Sequence, residues 1–134
     1  MGSVTGAQFL SRLDDGRDVW IEGQKVENVT THPLLRRGAA TLAQMLDRQH
    51  EDANRDVLTY SDQPDGERFA TSFLPPRSIP EVEQRGRAFY DWARWSGGMM
   101  GRSPDYLNSS FMAFNQAADY FSSNRPEFAD NVRT

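Results

Sequence analysis

A short glycine-containing turn holds the residues of this sequence whose types best suit chemistry. It carries Arg102 and Tyr106 around a predicted helix start at Ser103-Pro104, because Ser is a favoured N-cap and Pro fits the first helical turn. Arg supplies a permanent cation, Tyr a hydroxyl, and the helix N-terminus a partial positive charge. Such a site would suit an anionic oxygen, as in a phenolate or a carboxylate. The spacing alone favours a second interpretation, a packed helix corner in which Arg102 pairs with Asp105.

The composition excludes several other kinds of chemistry. The 134 residues include no cysteine, so thiolate zinc sites, iron–sulfur ligation and a cysteine nucleophile cannot form within this chain. The 15 basic residues are outnumbered by 19 acidic ones and form no run, so no nucleic-acid partner is predicted. His32 and His50 have no ligands at metal spacing beyond the acidic neighbours of His50, and no metal site is predicted. No apolar run approaches the ~20 residues of a membrane span, and we expect a cytoplasmic protein.

Hydrophobic periodicity predicts a mainly α fold with one small β-hairpin near residues 18–29. Thr5 is predicted to cap a first short helix that runs to about Leu13. Four more helix starts are predicted at Thr31-His32-Pro33, at the capping box Ser78-Ile79-Pro80-Glu81, at Ser103-Pro104 and at Asn124-Arg125-Pro126. Residues 52–76 read as a loop with short extended pieces at 57–60 and 69–73.

Two helices carry apolar stripes that predict buried faces. In the helix that ends near His50 the stripe is Leu35, Ala39, Leu42 and Leu46; after the glycine turn it is Leu107, Phe111, Phe114, Ala118 and Phe121. Hydrophobic residues nevertheless make up only 37% of the chain. This composition predicts that the core is completed against a partner domain or subunit.

Four segments together resemble the N-terminal region of the 4-hydroxyphenylacetate 3-monooxygenase family. They are residues 5–10, 15–23, 29–33 and 92–106, and the run from Gly101 to Tyr106 is the most specific part. These proteins are the oxygenase components of two-component flavin monooxygenases that hydroxylate phenols. The resemblance covers nearly the whole chain.

The resemblance implies an acyl-CoA-dehydrogenase-like plan. In that plan residues 1–134 are a single helical N-terminal domain, and a middle β-domain and a C-terminal helical bundle lie outside this chain. The bundle makes the family's members tetramers, so a homo-tetramer is expected for a full-length protein.

The resemblance also implies site residues, cofactor and partners. Arg102 and Tyr106 match the residues that hydrogen-bond the phenolic oxygen of the substrate, together with a His further along the family's chain. The expected cofactor is reduced FAD (FADH2), bound mostly by parts of the protein outside these residues, so no cofactor contact is assigned here. The expected partners are a phenolic substrate, O2 and a separate flavin reductase. We expect ortho-hydroxylation by the full-length enzyme and no activity from this chain alone.

Two other functions stay open at this point. One is a flavin dehydratase or dehydrogenase of the same superfamily, although the iron–sulfur dehydratases there use Cys ligands and this chain has no cysteine. The other is a free-standing helical interaction module or subunit.

Overall fold

Helices dominate the residues that the computed structural model describes, which are 2–98 and 106–133. The helices are α1 (Gly6–Ser11), α2 (Arg36–Arg48), α3 (Arg55–Leu58), α4 (Ile79–Trp95), α5 (Leu107–Gln116) and α6 (Pro126–Arg133). Two 3₁₀ helices span Thr71–Phe73 and Ala118–Ser123, and the strands are β1 (Trp20–Ile21), β2 (Gln24–Lys25), β3 (Thr59–Tyr60) and β4 (Phe69–Ala70). The predicted mainly helical fold with a small hairpin is confirmed. No helix in the described ranges is both long and apolar enough to cross a membrane.

Helix α1 begins after the predicted cap residue, Thr5, and the structure shows that the cap is a full capping box. The hydroxyl of Thr5 accepts the backbone N–H of Gln8 at 3.2 Å, and the Gln8 side chain accepts the backbone N–H of Thr5 at 2.9 Å. The helix ends at Ser11, two residues before the predicted Leu13. Its first residue, Gly6, donates its backbone N–H to the carboxylate of Asp47 on α2 at 2.7 Å. This bond brings the backbone of α1 directly onto α2.

The predicted hairpin is formed by β1 and β2. Trp20 pairs with Lys25 and Ile21 with Gln24 in an antiparallel register. The two turn residues, Glu22 and Gly23, both have positive φ (51° and 76°). Paired positive φ values match the right-handed twist of the strands, which is why two-residue hairpins favour them.

A second antiparallel pair, β3 with β4, forms within the two pieces that were predicted to be extended. The rest of those pieces is helical, since residues 57–58 belong to α3 and residues 71–73 to a 3₁₀ helix. Thr59 pairs with Ala70 and Tyr60 with Phe69. Arg68 reinforces the pair, since its Nε donates to the Thr59 hydroxyl at 2.7 Å. Neither strand has the alternation or the tight turn that predicts a hairpin locally, so the pairing depends on these longer-range contacts.

The apolar core lies between α2, α3 and α4. Met45, Leu58, Ala88 and Trp92 form its buried centre. Leu42 and Val57 pack against this cluster.

The buried face of α2 is rotated from the predicted stripe. Ala39 is buried as predicted, but Ala43 and Met45 are buried where Leu35 and Leu46 were expected to be. The helix also starts at Arg36, because residues 31–35 form turns. α2 touches α1 on one side and the core on another, so its buried surface is wider than one stripe.

The predicted capping box of α4 forms only in part. The Ser78 side chain makes no capping hydrogen bond. Glu81 reaches back instead to the backbone N–H of Arg77, which donates to its Oε2 at 2.5 Å and holds the pKa of Glu81 below its usual range. The helix still ends close to the predicted Ser96.

The second predicted stripe is wrong as a core within this chain. Phe111 is 60% exposed and Phe114 is 50% exposed, whereas Ala118 is 2% exposed. The continuous helix expected through Phe121 also breaks, because α5 ends at Gln116 and a 3₁₀ helix follows. Periodicity identified an apolar face correctly, but Phe111 and Phe114 stay half or more exposed, although the ring of Phe121 packs edge-on against Phe114 with centroids 6.0 Å apart. The start of α6 at Pro126 is as predicted.

Replacing Gly6 with alanine should destabilise the fold. A Cβ at Gly6 would lie 2.4 Å from the carbonyl oxygen of Ala43, and backbone cannot move aside cheaply. We expect Gly6→Ala to lower the free energy of unfolding by about 1–3 kcal/mol, the usual range for overpacking. Urea denaturation followed by circular dichroism measures the change.

The matched control is Gly38→Ala, since Gly38 lies inside α2 with nothing within 4 Å of its added Cβ. Better helix propensity should raise the free energy of unfolding there by about 0.5–1 kcal/mol. Equal effects at the two glycines would contradict the close approach of α1 to α2.

Candidate functional site

Tyr106 lies immediately before the first residue of α5, with helical backbone angles (φ −68°, ψ −57°). Its side chain is 64% exposed. Its carbonyl accepts the hydroxyl of Ser110 at 3.0 Å, one helical turn further on. The other predicted site residue, Arg102, lies outside the described residues, as do Ser103, Pro104 and Asp105. The structure therefore locates one of the two predicted side chains.

A buried arginine of α4 holds the segment that carries Tyr106. Arg85 is 8% exposed. Its Nη1 donates to the carbonyls of Thr71, Ser72 and Leu74 at 3.2, 2.9 and 2.7 Å. Its Nη2 donates to the hydroxyl of Ser109 on α5 at 2.7 Å. One guanidinium thus joins α4, the 3₁₀ helix Thr71–Phe73 and α5.

A second polar contact joins α5 to the 3₁₀ helix Thr71–Phe73. The side-chain amide of Asn108 donates to the hydroxyl of Ser72 at 2.8 Å. Ser72 is 2% exposed. Two adjacent residues of α5, three residues or fewer from Tyr106, are therefore hydrogen-bonded, Asn108 to the 3₁₀ helix and Ser109 to Arg85.

Burial shapes the electrostatics around Arg85. Loss of solvent lowers the pKa of its guanidinium, and Tyr60 opposes this effect. Burial also raises the pKa of Tyr60, and Asp62 raises it further. The ring of Phe89 lies 5.0 Å from the Arg85 guanidinium carbon. Peptide carbonyls and an aromatic face solvate this cation where water does not.

An apolar cavity of about 750 Å³ opens on another side of α5. Tyr60, Phe73, Phe111 and Phe114 line it, with residues of α6. Residues five apart on a helix point about 140° from one another, so Tyr106 and Phe111 do not share a face. Tyr106 is not among the described residues that line the cavity.

The two histidines have structural surroundings. The Nδ1 of His32 accepts the backbone N–H of Leu34 at 3.3 Å within a turn. His50 is exposed just after α2. Across residues 2–98 and 106–133, no three His, Cys, Asp or Glu side chains gather as metal ligands would.

Sequence reasoning missed Arg85, although a signal was present. Arg85, Phe89 and Trp92 recur at helical spacing, so the arginine lies on the apolar face of α4. A charged residue on such a face is rarely buried without partners. That pattern predicts a buried, hydrogen-bonded cation, but it does not identify the partners.

Comparisons with known proteins agree with this helical fold. Residues 5–134 match the family model described as 4-hydroxyphenylacetate 3-hydroxylase N terminal. The chain belongs to this family, the N-terminal part of phenol-hydroxylating oxygenases.

Two named relatives are similar to this chain over nearly its whole length. The chain is 45% identical over 130 residues to the 4-hydroxyphenylacetate 3-monooxygenase oxygenase component of Thermus thermophilus, covering 96% of this chain and 26% of that protein. It is 38% identical to a Streptomyces globisporus monooxygenase that acts on a carrier-protein-bound 3-amino-3-(3-chloro-4-hydroxyphenyl)propanoyl group, covering 97% of this chain and 24% of that protein. The chain thus spans about a quarter of the length of these relatives.

A solved relative shares the fold. It is the crystal structure of the oxygenase component of 4-hydroxyphenylacetate 3-monooxygenase complexed with FAD and 4-hydroxyphenylacetate. The TM-score is 0.86 at 43% identity, and the match covers 97% of this chain and 26% of that one.

Replacing Arg85 with lysine should destabilise the domain although the charge is kept. A lysine ammonium cannot reach three carbonyls and Ser109 at once, so buried acceptors lose their donors. We expect Arg85→Lys to lower the free energy of unfolding by about 2–4 kcal/mol, measured by urea denaturation.

Arg87→Lys is the matched control, because Arg87 is exposed on the same helix. It should change the free energy of unfolding by less than about 0.5 kcal/mol. A similar loss in both variants would show that the carbonyl contacts of Arg85 contribute little.

Proposed function

We propose that this chain is the N-terminal domain of the oxygenase component of a two-component monooxygenase. The full-length enzyme would use reduced FAD and O2 to hydroxylate a phenol ortho to its hydroxyl, with reduced flavin supplied by a separate reductase. The observation that carries this proposal is the family match over residues 5–134, strengthened by 45% identity to a named oxygenase component. The named relatives are monooxygenases, which favours hydroxylation over the dehydratase and dehydrogenase alternatives.

The proposed role of this domain is to bind the phenolic oxygen. Arg102 would supply a cation and Tyr106 a hydroxyl at that oxygen, as the resemblance implies. A cation and a donor favour the phenolate over the phenol, and the phenolate is the better nucleophile at its ortho carbon. The exposure of Tyr106 supports this role, since 64% of the side chain is accessible in this domain.

Two cavities among the described residues do not by themselves offer a diphosphate site for FAD. A dinucleotide needs donors for its diphosphate, such as unpaired cations or a helix N-terminus. The one arginine that lines the apolar cavity, Arg133, is paired with Asp119 and Asp130. Arg55 and Arg68, which line a polar depression, pair with Asp52 and Asp56. We therefore propose that most of the flavin site belongs to other parts of a full-length protein.

The exposed aromatic face of α5 is proposed as the surface that meets those other parts. Leu107, Phe111 and Phe114 are at least half exposed, and relatives are about four times as long as this chain. An acyl-CoA-dehydrogenase-like arrangement would cover this face with a later domain. A cytoplasmic homo-tetramer completes the proposal for the full-length enzyme.

Removing the Tyr106 hydroxyl or the Arg102 cation should impair hydroxylation by the full-length enzyme. We expect Tyr106→Phe and Arg102→Ala each to lower kcat/KM for 4-hydroxyphenylacetate by about 100- to 1,000-fold, the usual effect of losing a donor to a developing oxyanion. The measurement is product formed per reduced FAD consumed at varied phenol concentration.

Tyr90→Phe removes a hydroxyl from an exposed tyrosine of α4 and serves as the control, with a change below about twofold. Unchanged coupled hydroxylation in Arg102→Ala or Tyr106→Phe would refute the role of that residue.

The face of α5 should contribute more stability when the rest of the protein is present. In the isolated chain, Phe111→Ser with Phe114→Ser should lower the free energy of unfolding by only about 1 kcal/mol, because both residues are already half or more exposed. In the full-length protein the same change should lower Tm by several degrees or more, since each buried Phe contributes roughly 1.5–3 kcal/mol.

Leu34→Ser provides the control for this comparison, because Leu34 is 67% exposed and outside α5. It should leave Tm nearly unchanged in both contexts. An unaltered Tm of the full-length double variant would argue against the interdomain surface and for a free-standing module.

A further inference from the structure

We propose that Arg85, Ser109, Ser72 and Asn108, here named the α5 clamp, are positioning residues for the phenol site. They fix the first turn of α5 and so determine where Tyr106 presents its hydroxyl. The inference rests on the proposed function, in which Tyr106 binds the phenolic oxygen. None of the four is proposed to touch the substrate.

Within this domain, apolar burial does not place α5. No residue of α5 is buried, and its largest side chains, Phe111 and Phe114, are at least half exposed. A helix without a buried face gains little orientation from the hydrophobic effect. Its placement in this domain therefore depends strongly on directional contacts.

The clamp supplies two directional contacts at neighbouring residues of α5. Asn108 donates to Ser72 at 2.8 Å, and Ser109 accepts from Arg85 at 2.7 Å. Adjacent helical residues point about 100° apart. Two bonds in such different directions restrict rotation of α5 about its axis as well as its distance from the 3₁₀ helix.

The groups that α5 contacts are themselves buried and hydrogen-bonded. Ser72 and Arg85 are 2% and 8% exposed, and Arg85 donates to the three carbonyls of Thr71, Ser72 and Leu74. Asn108 therefore contacts the 3₁₀ turn directly, and Ser109 contacts it through Arg85.

The backbone of α5 connects the clamp to Tyr106. Helical angles continue through Tyr106, and the Ser110 hydroxyl bonds its carbonyl at 3.0 Å. Tyr106 therefore moves with the first turn of α5. Rotation of that turn by a few tens of degrees would displace a tyrosine hydroxyl by ångströms, and displacements of that size cost reaction rate.

The test is a double-mutant cycle in the full-length enzyme. Ser109→Ala should raise KM for 4-hydroxyphenylacetate about three- to tenfold at saturating reduced FAD and O2, and Ser109→Thr, which keeps a hydroxyl, should largely restore it. In the Tyr106→Phe background Ser109→Ala should change KM by less than about twofold, because coupled residues are not additive. Ser122→Ala, which removes a hydroxyl bonded within the 3₁₀ helix Ala118–Ser123, is the control in both backgrounds.

The same factor for Ser109→Ala in both backgrounds would overturn the proposal, since the clamp would then not act through Tyr106. Amide hydrogen exchange of residues 107–111 is the second readout. It should accelerate about tenfold or more in Ser109→Ala and stay unchanged in α2. If Tyr106→Phe alone leaves the kinetics intact, the proposed function of Tyr106 fails, and the exchange rates still decide whether the clamp exists.

Discussion

The constraint on which most of this domain depends is the burial of Arg85. A buried guanidinium is costly unless its donors are occupied, and here Nη1 is occupied by three peptide carbonyls. The Thr71 carbonyl also accepts the backbone N–H of Leu74 at 3.1 Å, and Arg85 supplies a donor to all three carbonyls of this turn. The cation and the turn therefore stabilise one geometry. Because Nη2 remains available for Ser109, that geometry extends to α5.

Two different kinds of force therefore organise the chain. Around Met45 and Trp92, burial of apolar side chains holds α2, α3 and α4 together. At α5, hydrogen bonds from Arg85 and Asn108 replace apolar burial, and the aromatic side chains point away from the core. This division suits a domain that packs one face internally and offers another to a larger assembly.

The proposed chemistry suits the polar part of this division. A phenol oxygen is bound selectively only if its donors are held within a few tenths of an ångström of the productive geometry. Directional hydrogen bonds fix the orientation of a helix. Packing of a half-exposed apolar surface does not. A tyrosine beside the clamp is therefore better placed for this task than one on the apolar face with Phe111 and Phe114.

Local sequence signals by themselves determined the Thr5 capping box, the hairpin with its Glu22-Gly23 turn and the start of α6 at Pro126, because each depends on residues close along the chain. The run from Gly101 to Tyr106 likewise indicated the family from the sequence alone. Only the tertiary structure decided that Arg85 is buried and that the face of Phe111 is open. Periodicity specifies which side chains share a face, whereas burial depends on what distant segments place against that face.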